Sequence, residues 1–429
     1  MSADLLSDVF VQFCESRTHL DSLLSQVPQA QKSKVARLFG AFLRRPLTIA
    51  KKFEIALALN RDEFWNQSFL KLKKSKPIHE LLAVLWKNPA FVPSDGGVED
   101  FPSLLFEGFE KDWGSARATE MSRLLSQDPL TTIRLHRRAF ESDGHIKTDF
   151  EKWLKSEGFP KFRRGRVSPE ALIFKGFARV QRNDFFKDGF FEIQDEGSQV
   201  MSHYALDPKS VIAYLSDTPQ VQKVSEALAT DFSQESSLMS SLVPSLTVVD
   251  ACSGAGGKTL ALADFMKGKG RIFAYDIYEH KIRALKERME RAGERNVKGI
   301  CLVANENESH LRFKDTADIV LVDAPCRGLG VLRRNPDIKW NRMPLPVKEE
   351  AVKLPIEELQ RRIISSYVPL VKRGGRLVYG VCTFAKSESL DQVQWFLNAH
   401  PDFELESNGF TGPFDTDGFF MASFQRKSP

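Results

Sequence analysis

Two of the chain's five cysteines stand where they could carry out covalent chemistry. Cys326 follows a hydrophobic stretch in residues 319–326 (IVLVDAPC), and Cys382 follows another in residues 376–382 (RLVYGVC). In an open α/β sheet, ligands bind at the carboxyl ends of such strands. A thiol placed there can add as thiolate to an electron-poor ring, and a second thiol can assist its release. The pair therefore indicates covalent catalysis on a ring substrate.

A glycine-rich loop at residues 250–259 (DACSGAGGKT) indicates a bound cofactor. Glycines let the backbone turn tightly and approach a ligand, and the following helix N-terminus points N–H groups at it. Alone, this pattern indicates only a nucleotide-like cofactor. It is not a phosphate-binding P-loop, because the first glycine of that motif would fall on Cys252. The candidate cofactor-binding residues of the loop are Cys252, Ser253, Gly254, Ala255, Gly256, Gly257 and Lys258.

Polar residues after neighbouring strands narrow the choice of cofactor. Asp276 ends the second predicted strand, where a carboxylate suits the two hydroxyls of a ribose. Asn305 follows the third strand and could hydrogen-bond an adenine edge, although a surface role is commoner for such an amide. Together with Asp323, these residues favour S-adenosylmethionine over NAD, because the DAPC element at 323–326 has no use in hydride transfer.

The elements that position these residues follow an α/β pattern. From residue 246 onward, candidate strands at 247–249, 271–275, 299–303, 319–322 and 377–381 alternate with amphipathic helices such as 281–292 and 357–371. Such alternation predicts a doubly wound, mostly parallel sheet. Two closing strands are predicted near residues 403–405 and 419–422.

The remainder of the chain divides into three further regions. Residues 1–118 show helical spacing of apolar residues, and we predict a helical domain there. Residues 119–205 change to short strands and helices, an α+β subdomain in which basic and aromatic residues interleave, as in Lys161, Phe174, Phe177, Arg179, Phe185 and Phe186. That mixture suits single-stranded nucleic acid, although core aromatics with surface charge explain it equally. Residues 206–245 are a predicted linker or insertion with a helical stretch near 221–232, and residues 246–429 are the catalytic domain.

Composition sets outer limits on function. The formal charge of +5 is compatible with an anionic partner without establishing one, and the five cysteines show neither a disulfide framework nor a Cys-x-x-Cys zinc pattern. We therefore expect no metal. The N-terminus lacks the features of a signal peptide, and no uncharged apolar run reaches the length of a membrane span. We expect a cytoplasmic protein that does not engage a membrane.

At these motifs the sequence resembles the RsmB/Nop/Sun family of RNA cytosine-C5 methyltransferases. The resemblance covers about residues 120–429. It implies a class I, Rossmann-like methyltransferase domain preceded by a small RNA-binding subdomain, and a NusB-like helical domain before both. The motifs that carry it are residues 250–259, 323–326, 328–340 (GLGVLRRNPDIKW) and 374–379 (GGRLVY), supported by 194–199 (QDEGSQ) and 417–420 (DGFF).

The resemblance also implies roles for individual residues. Cys382 would attack C6 of a cytosine, Cys326 would help remove the C5 proton, and Asp323 would hydrogen-bond the base. Lys258 would hold Asp323 or the cofactor side, unless it is only a lysine at the start of a helix. Four further residues are candidates for phosphate and base contacts, namely Arg333, Arg334, Lys339 and Trp340.

The implied substrate is RNA, 16S ribosomal RNA by the family architecture, bound by a monomer. Two alternatives stay open: a tRNA cytosine-C5 methyltransferase, and an RNA-binding ribosome assembly factor with weak catalysis. The sequence departs from the family pattern at Asn305, where Asp is usual, and at Val381, where Thr commonly precedes the nucleophile. Retention of both cysteines argues against the assembly factor.

Overall fold

The computed structural model describes residues 4–16, 20–53, 55, 64, 72–88, 96–141, 145–155, 162–174, 183–217, 245–302, 314–340, 354–412 and 416–428. Two compact units make up the chain. The first contains Met1–Pro129 with Arg327–Lys348 and Thr383–Lys386, and the second contains Leu130–Cys326, Glu349–Cys382 and Ser387–Pro429.

The first unit is helical, as the apolar spacing predicted. Its core is built from apolar side chains that recur at helical spacing, so that Val35, Leu38, Phe39 and Phe42 all lie on one buried stripe. In the described residues its helices are α1 (Asp4–Ser16), α2 (Leu20–Ser25), α3 (Gln29–Arg44), α4 (Pro46–Lys52), α5 (Lys76–Lys87), α6 (Ser103–Trp113) and α7 (Ser115–Leu125).

The segment that follows Cys326 also packs inside this first unit. Trp340 lies in the helical core, with its ring centroid 5.5 Å from Phe42 and 5.7 Å from Phe64. Its indole N–H donates to the carbonyl of Leu43 at 2.8 Å. The loop thus closes the helical core with an aromatic side chain from far along the sequence.

The structure corrects the expected RNA contacts of this segment. Arg333, Lys339 and Trp340 are only 4%, 3% and 2% exposed, and their polar atoms donate to main-chain carbonyls. Their role as phosphate and base contacts is therefore wrong for these three residues. The cause is physical: a long cationic side chain can satisfy its donors on backbone carbonyls, and sequence alone does not separate that use from a solvent-facing one.

The second unit begins with a small antiparallel sheet. Its strands are β1 (Thr131–Leu135), β2 (Phe162–Arg164), β3 (Ala171–Phe174) and β4 (Phe191–Ile193), in the order β2-β3-β1-β4. Two helices, α8 (Thr148–Lys155) and α9 (Asp184–Lys187), accompany it. Phe174 is fully buried in its core, and Phe185 and Phe186 pack against that core. These aromatics are structural, whereas Lys161, Phe177 and Arg179 lie outside the described residues.

Two helices follow this sheet in the sequence, before the second sheet of the unit begins. They are α10 (Glu196–Leu206) and α11 (Pro208–Asp217). The second falls within the predicted linker, where the sequence placed its helix later, at 221–232, outside the described residues. Asp195 caps α10, because its carboxylate accepts from the N–H of Gly197 at 2.9 Å.

The remainder of the second unit contains a seven-stranded, mostly parallel sheet, as predicted. The order is β10-β11-β9-β8-β5-β6-β7, in which only the pairings of β11 with β9 and β10 are antiparallel. Both faces are buried, which explains the continuous apolar runs. The strands are β5 (Thr247–Asp250), β6 (Arg271–Asp276), β7 (Val297–Cys301), β8 (Ala317–Asp323), β9 (Val371–Val381), β10 (Phe403–Thr411) and β11 (Phe419–Arg426).

Four helices flank this sheet in the described residues, and two of them match the helices predicted at 281–292 and 357–371, although the second ends at Tyr367 and β9 begins at Val371. The four helices are α12 (Gly257–Phe265), α13 (Glu279–Ala292), α14 (Ile356–Tyr367) and α15 (Leu390–Ala399). The chain order reverses direction at β5, which pairs with β6 on one side and β8 on the other. Such a switch point opens a crevice at the carboxyl ends of the strands. None of the helices in the described ranges is both long and apolar enough to cross a membrane.

Candidate active site

The register of β8 and β9 brings the two cysteines together. Asp323 lies opposite Gly380 in this parallel pair, and the N–H of Ala324 still donates to the carbonyl of Gly380 at 2.9 Å. Cys326 and Cys382 therefore leave the sheet at the same level. Their Sγ atoms are 3.2 Å apart, with Cys326 buried and Cys382 partly exposed. The two thiols are close enough to act on neighbouring atoms of one substrate.

A buried hydrogen-bond network fixes the loop that carries Cys326. The side-chain amide of Gln360 on α14 donates to the carbonyl of Pro325 at 3.0 Å and to Oε2 of Glu388 at 3.0 Å. The hydroxyl of Tyr379 donates to the carbonyl of Glu388 at 2.7 Å. Because Tyr379 lies on β9, the network ties both cysteine-bearing loops to the sheet.

Lys258 pairs with Asp323 at the edge of this site. Its Nζ donates to Oδ2 of Asp323 at 2.7 Å, with side-chain exposures of 12% and 26%. Burial lowers the pKa of Lys258, but the charge and hydrogen bond of Asp323, together with the charges of Cys382 and Asp250, outweigh burial and raise this pKa, which keeps the side chain an ammonium. The Phe419 ring lies 4.9 Å from Nζ and covers the lysine. The sequence hypothesis that Lys258 holds Asp323 is confirmed as a contact.

The absence of a side chain at Gly197 allows the Phe419 ring to lie over Lys258. A Cβ on this residue would lie 2.8 Å from a ring carbon of Phe419 and 2.5 Å from the carbonyl oxygen of Asp417. Asp195 holds the same loop, because its Oδ1 accepts from the N–H of Asp417 at 2.9 Å. The QDEGSQ and DGFF segments therefore meet, and their combined effect is to cover Lys258.

The glycine-rich loop contains two glycines in the left-handed region of backbone conformation, which other residues rarely adopt. Gly254 and Gly256 have φ values of +53° and +86°. A Cβ on Gly254 would meet nothing within 4 Å, whereas one on Gly256 would lie 2.2 Å from a methyl of Leu285. The loop is thus packed against α13 at Gly256 and leaves open space at Gly254, where a ligand could approach the backbone.

Asp276 is held at the end of β6 by backbone donors. Its Oδ2 accepts from the N–H of Gly254 at 2.9 Å and its Oδ1 from that of Tyr278 at 2.9 Å. Lys281 lies 3.8 Å from the same carboxylate. Each oxygen of this carboxylate offers two lone pairs and accepts one backbone N–H. Asp276 can therefore still accept hydrogen bonds from two vicinal hydroxyls of a ligand.

Two buried polar atoms at the glycine-rich loop lack a hydrogen-bond partner among the described residues. They are Oγ of Ser253 and Oδ1 of Asp250. Oδ2 of Asp250 accepts from Thr259 at 2.6 Å, and burial raises the pKa of this carboxyl to about 7. Unsatisfied buried groups are costly, so they favour a polar ligand here. These atoms fit an aminoacid-bearing nucleoside such as S-adenosylmethionine.

Cys252 is a poor nucleophile despite its place in this loop. Burial raises the pKa of its thiol, and Asp250, Asp323 and Asp276 add to the rise through their negative charges. A thiol in such surroundings stays protonated and inert. Its place in the loop is consistent with a packing role.

The sequence-predicted site residues converge in the described structure, with one exception. Cys326, Cys382, Asp323, Lys258, the loop residues 252–258 and Asp276 all lie at the carboxyl ends of β5, β6, β8 and β9. Asn305 lies outside the described residues. The supporting residues Gln360 and Tyr379 were missed, although a glutamine on the otherwise apolar face of α14 is a signal that could have identified the first.

Comparison with known proteins agrees with this geometry. Residues 239–425 match the family model described as 16S rRNA methyltransferase RsmB/F. The chain is 28% identical over 366 residues to the "Probable ribosomal RNA small subunit methyltransferase B" of Bacillus subtilis, covering 78% of this chain and 71% of that protein.

Solved structures share the fold at lower identity. The crystal structure of PH0851 is 21% identical with a TM-score of 0.67, covering 99% of both chains. That of NSun6 from Pyrococcus horikoshii with SFG is 19% identical with a TM-score of 0.57, covering 77% of this chain and 99% of that one. The arrangement of sheet and helices is therefore one already known in solved structures.

Proposed function

Because residues 239–425 match the RsmB/F methyltransferase family model, we propose that this chain methylates C5 of a cytosine in 16S ribosomal RNA. The observation that carries the proposal is the pair of thiols 3.2 Å apart beside the Lys258–Asp323 ion pair. Methylation of a ring carbon needs a nucleophile and a base at one place, and two thiols supply both.

S-adenosylmethionine is the methyl donor that the loop fits, and when bound it supplies an electrophilic methyl group. The backbone N–H groups at the start of α12 and the open space beside Gly254 suit its amino-acid end. The carboxylate of Asp276 suits the ribose hydroxyls. Oγ of Ser253 and Oδ1 of Asp250 gain a polar neighbour when the site is filled.

Cys382 is assigned as the nucleophile. Its thiolate forms a bond to C6 of the cytosine, and the C5–C6 π electrons become available at C5. The ammonium of Lys258 interacts with Cys382 as well as with Asp323, so a positive charge lies beside the attacking sulfur. Asp323 is assigned to the exocyclic amino edge of the base, where a carboxylate can accept a hydrogen bond.

Cys326 is assigned as the base that completes the reaction. After C5 has gained the methyl group, C5 still carries its original proton. Removal of that proton returns an electron pair to the C5–C6 bond, and the bond between C6 and the sulfur of Cys382 breaks. Cys326 lies in contact with Cys382, so it can take the proton without a large movement. Cys326 is itself 5% exposed.

The target base has to leave its stack to enter this site, as in other enzymes that modify bases. RNA single strands or loops are favoured because their bases unstack at low cost. Ribosomal RNA is favoured over tRNA by the RsmB/F match and by relatives named for the small subunit.

A trapping experiment tests the assignment of the two cysteines. Wild type, Cys326→Ala, Cys382→Ala and the double variant are incubated with S-adenosylmethionine and deproteinised small-subunit rRNA, then run on a denaturing gel. We expect an RNase-sensitive shifted band for Cys326→Ala alone, because attack occurs and release fails. A shifted band for Cys382→Ala in place of Cys326→Ala would reverse the two roles.

The same samples distinguish the proposed enzyme from an RNA-binding assembly factor. The wild type should transfer a labelled methyl group to C5 of cytosine, identified by digestion to nucleosides and mass spectrometry. No transfer to rRNA and no band in any variant would overturn the proposal. Transfer to tRNA in its place would retain the chemistry and change the substrate.

A further inference from the structure

We propose that Arg288 is a positioning residue that couples RNA binding to cofactor binding. It lies on α13 and contacts two regions at once. Its Nη1 donates to the carbonyl of Ala255 in the glycine-rich loop at 2.8 Å, and its Nη2 and Nε donate to Oε2 of Glu192 on β4 at 3.0 and 3.2 Å. This inference rests on the proposed function, since it assigns a role between the two substrates of that reaction.

The Glu192 end of the link is firmly held. Its side chain is 4% exposed and pairs with both Arg288 and Arg291. The guanidinium of Arg291 also lies 4.0 Å over the ring of Phe186, which lies in α9 beside the small sheet. A buried carboxylate with two guanidinium partners costs several kcal/mol to leave unpaired, so a displacement of β4 must be followed by α13.

Further charged contacts join the small sheet to the region of the seven-stranded sheet. Arg134, which lies opposite Glu192 in the β1–β4 pair, donates to Oδ2 of Asp264 at 2.6 Å. His136 lies 2.8 Å from Oε1 of Glu294, and Arg137 pairs with both acidic residues. These groups fix the small sheet against α12 and the end of α13, but none of their contacts reaches the glycine-rich loop.

The loop end of the link lies at the surface. Ala255 is exposed and lies between Gly254 and Gly256, both in left-handed conformations that strain any other residue. α13 supports this loop at two points, through the side chain of Leu285 under Gly256 and through Arg288 on the carbonyl of Ala255. Leu285 contributes packing alone, whereas Arg288 orients the peptide and also reaches the small sheet.

A chain of contacts therefore runs from the small sheet through Glu192 and Arg288 to the backbone that faces the cofactor. The proposal takes the small sheet as the RNA-binding subdomain that the sequence resemblance implies. RNA bound there should restrict β4, tighten this chain of contacts and pre-order the loop. By thermodynamic linkage, RNA must then raise cofactor affinity by the same factor by which the cofactor raises RNA affinity. We expect that factor to be about fivefold in the wild type.

The test compares Arg288→Gln with Arg291→Gln as its matched control. Both variants remove one guanidinium from Glu192, but only the first removes the donor to Ala255. Affinity for S-adenosylhomocysteine, which binds without turnover, is measured by calorimetry with and without deproteinised small-subunit rRNA. We expect Arg288→Gln to weaken binding about fivefold to tenfold and to remove the effect of RNA. Arg291→Gln should stay within about twofold of wild type in both respects.

Arg288→Lys gives a second measure that does not depend on the stability of Arg288→Gln. A lysine keeps the charge and can donate to Ala255 or to Glu192, but its single ammonium does not reproduce the guanidinium fork. We expect partial recovery of affinity without recovery of coupling. If Arg288→Gln and Arg291→Gln behave alike while wild type binds both ligands, the coupling is overturned and the proposed function stands. Failure of the wild type to bind S-adenosylhomocysteine would overturn both.

Discussion

The sulfur atoms of Cys326 and Cys382 lie 3.2 Å apart although 56 positions separate them in the sequence. The parallel register of β8 and β9 accounts for this proximity, since it places the two strand ends at one level. In the proposed reaction, a cytosine attacked at C6 by one thiol would present its C5 proton to the other. Such proximity also makes the two thiols sensitive to oxidation.

A two-electron oxidant should link the two active-site thiols. Diamide takes up two electrons and two protons, which the thiols of Cys326 and Cys382 supply as they form a disulfide. We expect loss of methyl transfer, recovery with dithiothreitol, and a linked peptide pair in a mass-spectrometric digest. Cys14 is the internal control, because burial raises its pKa to about 12 and keeps it an unreactive thiol. Inactivation without the linked peptide would contradict this prediction.

Removal of the lysine beside Asp323 should slow chemistry more than binding. Lys258→Met leaves Asp323 without its ion-pair partner and takes the cation away from Cys382. We expect a loss of about 100-fold or more in the single-turnover rate, with affinity for S-adenosylhomocysteine changed by less than about threefold. Lys286→Met, on an exposed position of α13, is the control and should retain the wild-type rate. Equal losses of rate and affinity would assign Lys258 to cofactor binding.

The strand-end residues of this site could be predicted because a parallel sheet gathers the ends of its strands at one edge. Asp276, Asp323 and both cysteines each follow a hydrophobic run, so their convergence needed only the strand order. The contact of Arg288 with Ala255 could not be predicted in this way. It depends on the packing of α13 against a loop 33 positions earlier, and no periodicity in the sequence records it.

The segment at 328–340 shows the opposite outcome. Its motif indicated a place in the catalytic domain, and its basic residues suggested RNA contacts. In the structure, Lys339 donates to the carbonyl of Arg44, 295 positions away, inside the helical unit. Burial of that kind is decided by tertiary packing between distant segments, and a basic or aromatic residue type does not reveal it.

Truncation of Trp340 should destabilise the helical unit. The indole fills a core position among Phe10, Phe42 and Phe64, and its N–H has a carbonyl partner at Leu43. We expect Trp340→Ala to lower the free energy of unfolding by about 3 to 5 kcal/mol, measured by urea titration with far-ultraviolet circular dichroism. Trp395→Ala, at a half-buried position of α15, should cost less. A loss below about 1 kcal/mol for Trp340→Ala would contradict the packing role.

Lys339 should make the stability of the protein rise with pH above neutrality. Burial lowers its pKa to about 7, from an ordinary value of 10.5. Asp100 opposes this shift through its negative charge, whereas the positive charges of Arg44 and Arg45 add to it. Between pH 7 and about 10 the unfolded chain holds a proton on this amine that the native state has released. Stability therefore increases with pH across that window, and below pH 7 the full cost of burying the ammonium is present.

Comparison with Lys339→Met isolates this effect from all other titrations. Methionine has a similar length and carries no proton, so the stability difference between wild type and variant should depend on pH through Lys339 alone. We expect that difference to move in favour of wild type by about 2 to 5 kcal/mol from pH 7 to pH 10, in urea titrations at constant ionic strength. Parallel curves for the two proteins would mean that Lys339 keeps its proton in the native state. The donor bonds to the carbonyls of Arg44 and Asp100 would then be sufficient to hold a buried ammonium.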